Sequence, residues 1–242
     1  ISRFQFLHDR VQQAAYALIR DDEKQAVHLE IGRLLLKNIG KEGLENQIFR
    51  IVAHLNSGLD LTADQSERNE LARLNLKAGQ KAKMATAYDA AANFLSAGRD
   101  CLPENAWETA YHLTLNLFTE SVEAAYLSGN FQQMEQFVKA VLQHAHTLSD
   151  EADIRKIRIL AYVAKNQQQK AIKTALTFLD RLGIHLPEEP TPEDVNMALE
   201  KMLESLAGKS IRSFIELPMM TNPMMILAIR LMGVVTPVAY FV

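Results

Sequence analysis

The stretch that most constrains this chain runs from Leu71 to Pro103, LARLNLKAGQKAKMATAYDAAANFLSAGRDCLP. At helical period it gives one helix from Leu71 to Lys83, with Leu71, Leu74, Ala78 and Ala82 on a face. A break at Ala85-Thr86 follows, then a second helix carrying Ala87, Ala90, Ala91, Phe94, Leu95 and Ala97. Small residues at Ala78, Gly79, Ala82, Ala90 and Ala91 let two helix backbones approach closely, and Phe94 and Leu95 fill the space between them. Such a pair is the unit of a tetratricopeptide-like helical-hairpin array.

Composition agrees with helix. In 242 residues there are only 10 Gly and 7 Pro, too few turn residues for an all-β chain, and alternating strand patterns are nearly absent. The expected fold is all-α. A net charge of -3 argues against a nucleic-acid partner, which would select a basic surface. The single cysteine, Cys101, excludes an internal disulfide and a multi-cysteine metal site, and fits a reducing, cytoplasmic setting. The chain opens on Ile1 and closes on the apolar run PVAYFV, so it reads as a piece of a longer protein. Met224 to Val242 is apolar, but Arg230 sits inside it and Pro237 is expected to break it. A buried helical hairpin is therefore favoured over a membrane span.

Residues 1–7 alternate Phe4 and Phe6 with polar neighbours and read as a short strand. Helices are expected over Asp9–Ile19, Glu23–Ile39 and Leu44–Leu55 before the central hairpin, and over Trp107–Leu127, Gln132–Leu148, Ala152–Lys165, Ala171–Leu182 and Pro192–Leu206 after it. Aligning three hairpins by their turns places Ala90, Met134 and Ala171 at the small-residue position of each second helix. The intervals, 44 and 37 residues, exceed the tetratricopeptide period of about 34, so the repeat is degenerate.

No constellation for catalysis stands out. His144 and His146 form an HxH pair, but two positions apart on a helix point in opposing directions and cannot share an ion. His28 and His54 lie on or beside apolar faces and read as packing or surface residues. Cys101 has Arg99 near it but also Asp100, and reads as a partly buried structural thiol. His8-Asp9-Arg10 has the wrong order for a kinase catalytic loop and lacks its downstream partners. Glycine-rich phosphate loops are missing. The methionines Met219, Met220, Met224, Met225 and Met232 are expected to fill a core rather than form an adaptable binding surface. What remains is the concave side of the array. Turn register assigns Asn75, Asn116, Thr119, Glu123, Tyr126 and Lys156 to it, a mixed polar lining suited to an extended peptide, or simply a solvated surface.

Three groups of motifs carry a resemblance. They are FQFLHDRVQQAAYALI (Phe4 to Ile19) with AVHLEIGRLLL (Ala26 to Leu36); ERNELARLNLKAGQKAKMATAYDAAANFLSAG (Glu67 to Gly98); and AYLSGNF (Ala125 to Phe131) with LDRLGIHLP (Leu179 to Pro187). Together they resemble the helical region that follows the AAA-like, STAND-type ATPase in very large bacterial signalling kinases. Those chains combine a serine/threonine kinase-like domain, the ATPase, this region, GAF or PAS sensors and a histidine kinase or cyclase output. The resemblance implies a winged-helix remnant ending the ATPase-associated segment at 1–42, tetratricopeptide-like repeats at 43–188, and truncated helical hairpins at 189–242. It implies no catalytic, metal or cofactor site in this stretch; ATP and the serine/threonine or histidine kinase activity belong to the parent chain. The function expected is a protein-interaction and regulatory module of two-component signalling. Its partner is a protein, a peptide or a neighbouring domain, and the apolar C-terminal helices offer a homodimer face. The alternative is a small-ligand sensor using the concave side, favoured if aromatic residues such as Tyr88, Tyr126 or Tyr162 bound a defined pocket.

Overall fold

A computed structural model describes residues 9–240, and every regular element within them is helical. The strand expected at residues 1–7, and His8 of the His-Asp-Arg triplet, lie outside the described residues. The first elements are α1 (Asp9–Ala17), α2 (Asp21–Lys37) and α3 (Lys41–Ser57), followed by a 3-10 turn at Leu59–Leu61. The central hairpin is α4 (Gln65–Met84) and α5 (Tyr88–Asp100); then come the short α6 (Ala106–Thr109) and α7 (Tyr111–Leu127). Beyond these lie α8 (Phe131–His144), α9 (Leu148–Ala164), α10 (Gln168–Arg181), α11 (Pro192–Leu206) and α12 (Pro223–Ala239). Packing divides the chain into two compact units, one ending at Ser128 and one starting at Gly129.

In the first unit α2 pairs with α3, α3 with α4, and α4 with α5, which in turn meets α7. Close approach depends on glycines that leave room for leucines. A Cβ at Gly32 would stand 2.6 Å from Leu55 Cδ2, one at Gly79 2.7 Å from Leu95 Cγ, and one at Gly98 2.7 Å from Leu117 Cδ2. Leu95 and Leu117 are wholly buried there, and each such leucine is worth about 1.5–3 kcal/mol of transfer free energy. Asp64 caps α4 by accepting from the Ser66 and Glu67 amides at 3.1 and 3.3 Å, so the helix starts six residues before the expected Leu71.

The hairpin turns share one device. Thr86 (φ 58°), Gly129 (φ 75°) and Asn166 (φ 57°) are left-handed, each followed by one residue and then a new helix. At two of them the bonding is a Schellman motif. Ala87 N donates to Ala82 O and Thr86 N to Lys83 O; Gln167 N donates to Tyr162 O and Asn166 N to Val163 O. This register makes Ala91, not Ala90, the counterpart of Met134 and Ala171, each the fourth residue of its helix and each buried. The intervals become 43 and 37 residues.

Two long helices expected from periodicity are divided differently. Ala110 leaves helical geometry (φ -139°, ψ 40°) between α6 and α7, and the Thr114 hydroxyl donates to Ala106 O and Ala110 O across the break. At the other site α8 ends at His144, four residues early. Thr147 and Asp150 form a reciprocal capping box that begins α9 there, with the Asp150 carboxylate accepting from the His146 and Thr147 amides.

In the second unit α9, α10 and α12 enclose Ile159, Ala175, Phe178, Leu179, Leu231 and Val235. The buried carboxylate of Glu151 accepts from Arg155 and Arg181, and both guanidiniums lie over the Phe178 ring, at 4.9 and 5.8 Å from its centroid. α12 runs through Pro237 rather than breaking there, because in the last turn the missing N–H costs a single bond. Among the described residues no helix is long and apolar enough to cross a membrane. Of the methionines, Met224 and Met232 pack against this core, whereas Met219 and Met220 stand exposed, contrary to the expectation that the whole set fills a core.

Candidate interaction surface

The polar residues assigned to a concave lining do not share one environment. Asn75 is fully buried and does not line an open groove. It shares the α4 face of Leu71, Leu74 and Ala78, and its amide exchanges two hydrogen bonds with that of Asn56 on α3, at 2.9 and 2.7 Å. A third bond, to Leu71 O at 3.1 Å, completes it. A buried amide needs such partners, and here it fastens α3 to α4.

Four of the six lie on α7 at spacings of three, four and three residues, which place Asn116, Thr119, Glu123 and Tyr126 along one stripe. Asn116 is exposed and the other three are half-buried. Beside the stripe, Lys83 at the end of α4 meets the Glu120 and Glu123 carboxylates at 2.5 Å each, and the Gln80 amide donates to Glu120 at 2.9 Å. Burial works against the Lys83 ammonium, but the two carboxylates outweigh it and hold its pKa above the ordinary lysine value. One ammonium between two carboxylates leaves a net negative charge, so this end of α7 favours a donor or a cation. Lys156 is exposed on α9, in the other compact unit.

A cleft of about 530 Å³ opens between α2, the end of α3, Thr62 and α4, with Leu29, Leu36, Leu55, Leu71 and Leu74 as floor. Its rim is basic along α2 (Arg33, Lys37) and acidic at the cap and first turns of α4 (Asp64, Glu67, Glu70), and a bidentate Arg33–Glu67 pair at 2.6 and 2.7 Å joins the two sides. Tyr88, Tyr126 and Tyr162 do not line it. Sequence reading missed this cleft because its walls come from residues up to 45 positions apart.

Cys101 is fully buried, its thiol donates to Ala97 O at 3.1 Å, and burial pushes its pKa up to about 11. His144 ends α8 and His146 lies beyond it, so the helical geometry assumed for the pair does not hold. Among the described residues no group of three or more His, Cys, Asp and Glu is placed to hold a metal. His28 on α2 and His54 on α3 face each other, Nδ1 to Nδ1 at 2.8 Å, and the Tyr16 hydroxyl of α1 lies 3.0 Å from His28 Nε2. Burial, then His28 and Arg50, lower the His54 pKa.

No family model matches the chain, and no solved structure matches it. Among curated proteins it is 27% identical over 233 residues to hybrid signal transduction histidine kinase G of Dictyostelium discoideum. That match covers 86% of this chain and 7% of the relative, which links the chain to a signalling kinase across a small part of the relative's length.

Proposed function

We propose that this chain is a non-catalytic interaction and regulatory module of a multidomain, ATP-dependent signalling kinase. In this reading it couples the binding of a protein, peptide or neighbouring domain to the ATPase and kinase output. The observation that carries the reading is the match itself: most of this chain aligns with a small part of a very long hybrid histidine kinase. Paired helices are a suitable device, because hairpins that stack in two alternative packings convert a binding event into a shift of population. The tetratricopeptide-like superhelix, the winged-helix remnant, the STAND ATPase neighbour and a cytoplasmic location belong to the same proposal. The α7 stripe is its docking face, and the exposed Val195, Leu199, Met202 and Leu206 of α11 support a homodimer face.

The test is made in the parent kinase. Asn116→Arg with Thr119→Arg alters the stripe while leaving Lys83 and its carboxylates in place. A changed phosphotransfer output, with catalytic-domain autophosphorylation intact, supports the module; unchanged output together with unchanged output on deleting the region refutes it.

A second reading, a small-ligand sensor, is favoured by the α2–α4 cleft, whose apolar floor and two-signed rim suit a compact zwitterion. Arg33→Met should then abolish ligand-induced protection of α2 and α4 amides without altering docking at α7.

A further inference from the structure

The contact between His28 and His54 joins two helices through two titratable rings. A 2.8 Å Nδ1–Nδ1 separation requires one nitrogen to donate and the other to accept. Neutral imidazoles satisfy this in two tautomers. A single added proton is also accommodated: a doubly protonated His28 donates through Nδ1 to His54 and through Nε2 to the Tyr16 oxygen. A second proton is not accommodated, because both Nδ1 atoms would then be donors at contact distance and both rings would be cationic.

Among the described residues, the groups in direct contact with the two rings bring no carboxylate to a second positive charge. From α1, Tyr16 offers one oxygen, already engaged with His28, and the Lys24 ammonium of α2 lies 5.2 Å from the Tyr16 ring centroid, itself paired with Asp21 at 2.5 Å. On α3, Arg50 adds positive charge one turn before His54. α4 meets α3 through the uncharged Asn56–Asn75 amides. The 3-10 turn that packs on both helices carries one acid, Asp60.

We infer that the His28–His54 contact is an acid-sensitive latch, which holds α2 to α3 while at most one of the two rings is charged and releases when both are. Beside this contact the α2–α3 pair closes on apolar surface, with Gly32 against Leu55 and Gly58 against Leu29. A proton is thus the ligand, and the hairpin is the element that it moves. The inference rests on this geometry alone and stands whether or not the chain docks a partner.

The experiment is hydrogen exchange with the intact 242-residue chain at constant ionic strength, from pH 7.5 to 5.0, corrected for intrinsic rates. Opening of α2 and α3 amides should rise severalfold relative to those of α9 and α10, because the opened state takes up the second proton more readily than the closed one. His54→Asn keeps a donor and an acceptor near the Nδ1 position but does not titrate, and in it the rise should fall below about twofold. Ring-proton NMR of the unaltered chain guards against a variant that fails to fold: the His54 ring should titrate below the ordinary histidine range, and its midpoint should move when His28 is replaced by Asn. Equal pH dependence in His54→Asn, or two independent titrations at the ordinary histidine value, would overturn the latch.

Discussion

Replacing Asn75 by alanine separates a structural amide from a groove residue. The substitution removes three side-chain atoms from a site with no solvent exposure, together with the bonds at 2.9, 2.7 and 3.1 Å. A void of about 40 Å³ costs about 1 kcal/mol at roughly 24 cal/mol per Å³. Asn56 loses both of its bonds to Asn75; being half-buried it recovers some water, so its stranded amide costs about 1–2 kcal/mol rather than the full penalty. Alanine's better helix propensity returns roughly 0.5 kcal/mol. The net loss is about 2 kcal/mol, or roughly 8 °C in the melting of the first unit. Circular dichroism melts of the single and double variants form a cycle, and because the bonds are reciprocal, Asn56→Ala with Asn75→Ala should cost at least 1 kcal/mol less than the two singles added. A loss under about 0.5 kcal/mol, or full additivity, would refute the burial argument and return Asn75 to the surface.

Other outcomes follow from the same physics. Glu151→Gln should cost about 2 kcal/mol by urea unfolding, discounted because Arg181 is partly exposed. Burial opposes the Glu151 charge, but Arg181 and Arg155 prevail and lower its pKa. Its contribution is therefore full above the unfolded carboxylate value and lost as pH falls below it, so the stability difference between wild type and Glu151→Gln should narrow below about pH 4. Thr86→Asn should raise stability by about 0.5–1 kcal/mol in the same assay, because a β-branched residue sits at φ 58° where asparagine is tolerated. Cys101 should resist a thiol reagent in the native chain and react only on unfolding; fast labelling at pH 8 would contradict its burial.

Helix existence was legible because apolar residues recur at helical spacing over most of the chain, as at Leu71, Leu74, Ala78 and Ala82. The burial of Asn75 is legible from its neighbours: it lies one turn after Leu71 and one residue after Leu74, on the buried stripe. A polar residue there signals an amide with a partner, although the partner, Asn56, is invisible without the fold. Helix ends depart from the apolar periodicity where capping chemistry overrides it, and the Thr147-Leu148-Ser149-Asp150 box is the signal that closes α8 early. The hairpin register differs by one residue from the sequence expectation because adjacent alanines carry no signal of orientation: Ala90 and Ala91 differ only in which faces the neighbouring helix. Pairings such as His28 with His54, or Arg33 with Glu67, join residues 26 and 34 positions apart and leave no local trace. The α7 stripe is a spacing argument that the geometry keeps together, while Lys156 lies in a different unit.

The Phe178 ring beneath two guanidiniums has a consequence in concentrated electrolyte. Dissolved ions weaken attraction between charges that water can reach, with a screening length of roughly 3 Å at 1 M. The Arg33–Glu67 pair is open to that weakening, since both side chains are substantially exposed. The Glu151 carboxylate is 9% exposed, and an aromatic face supports both of its cations. Brine should therefore loosen the seam between α2 and α4 well before the one between α9 and α10.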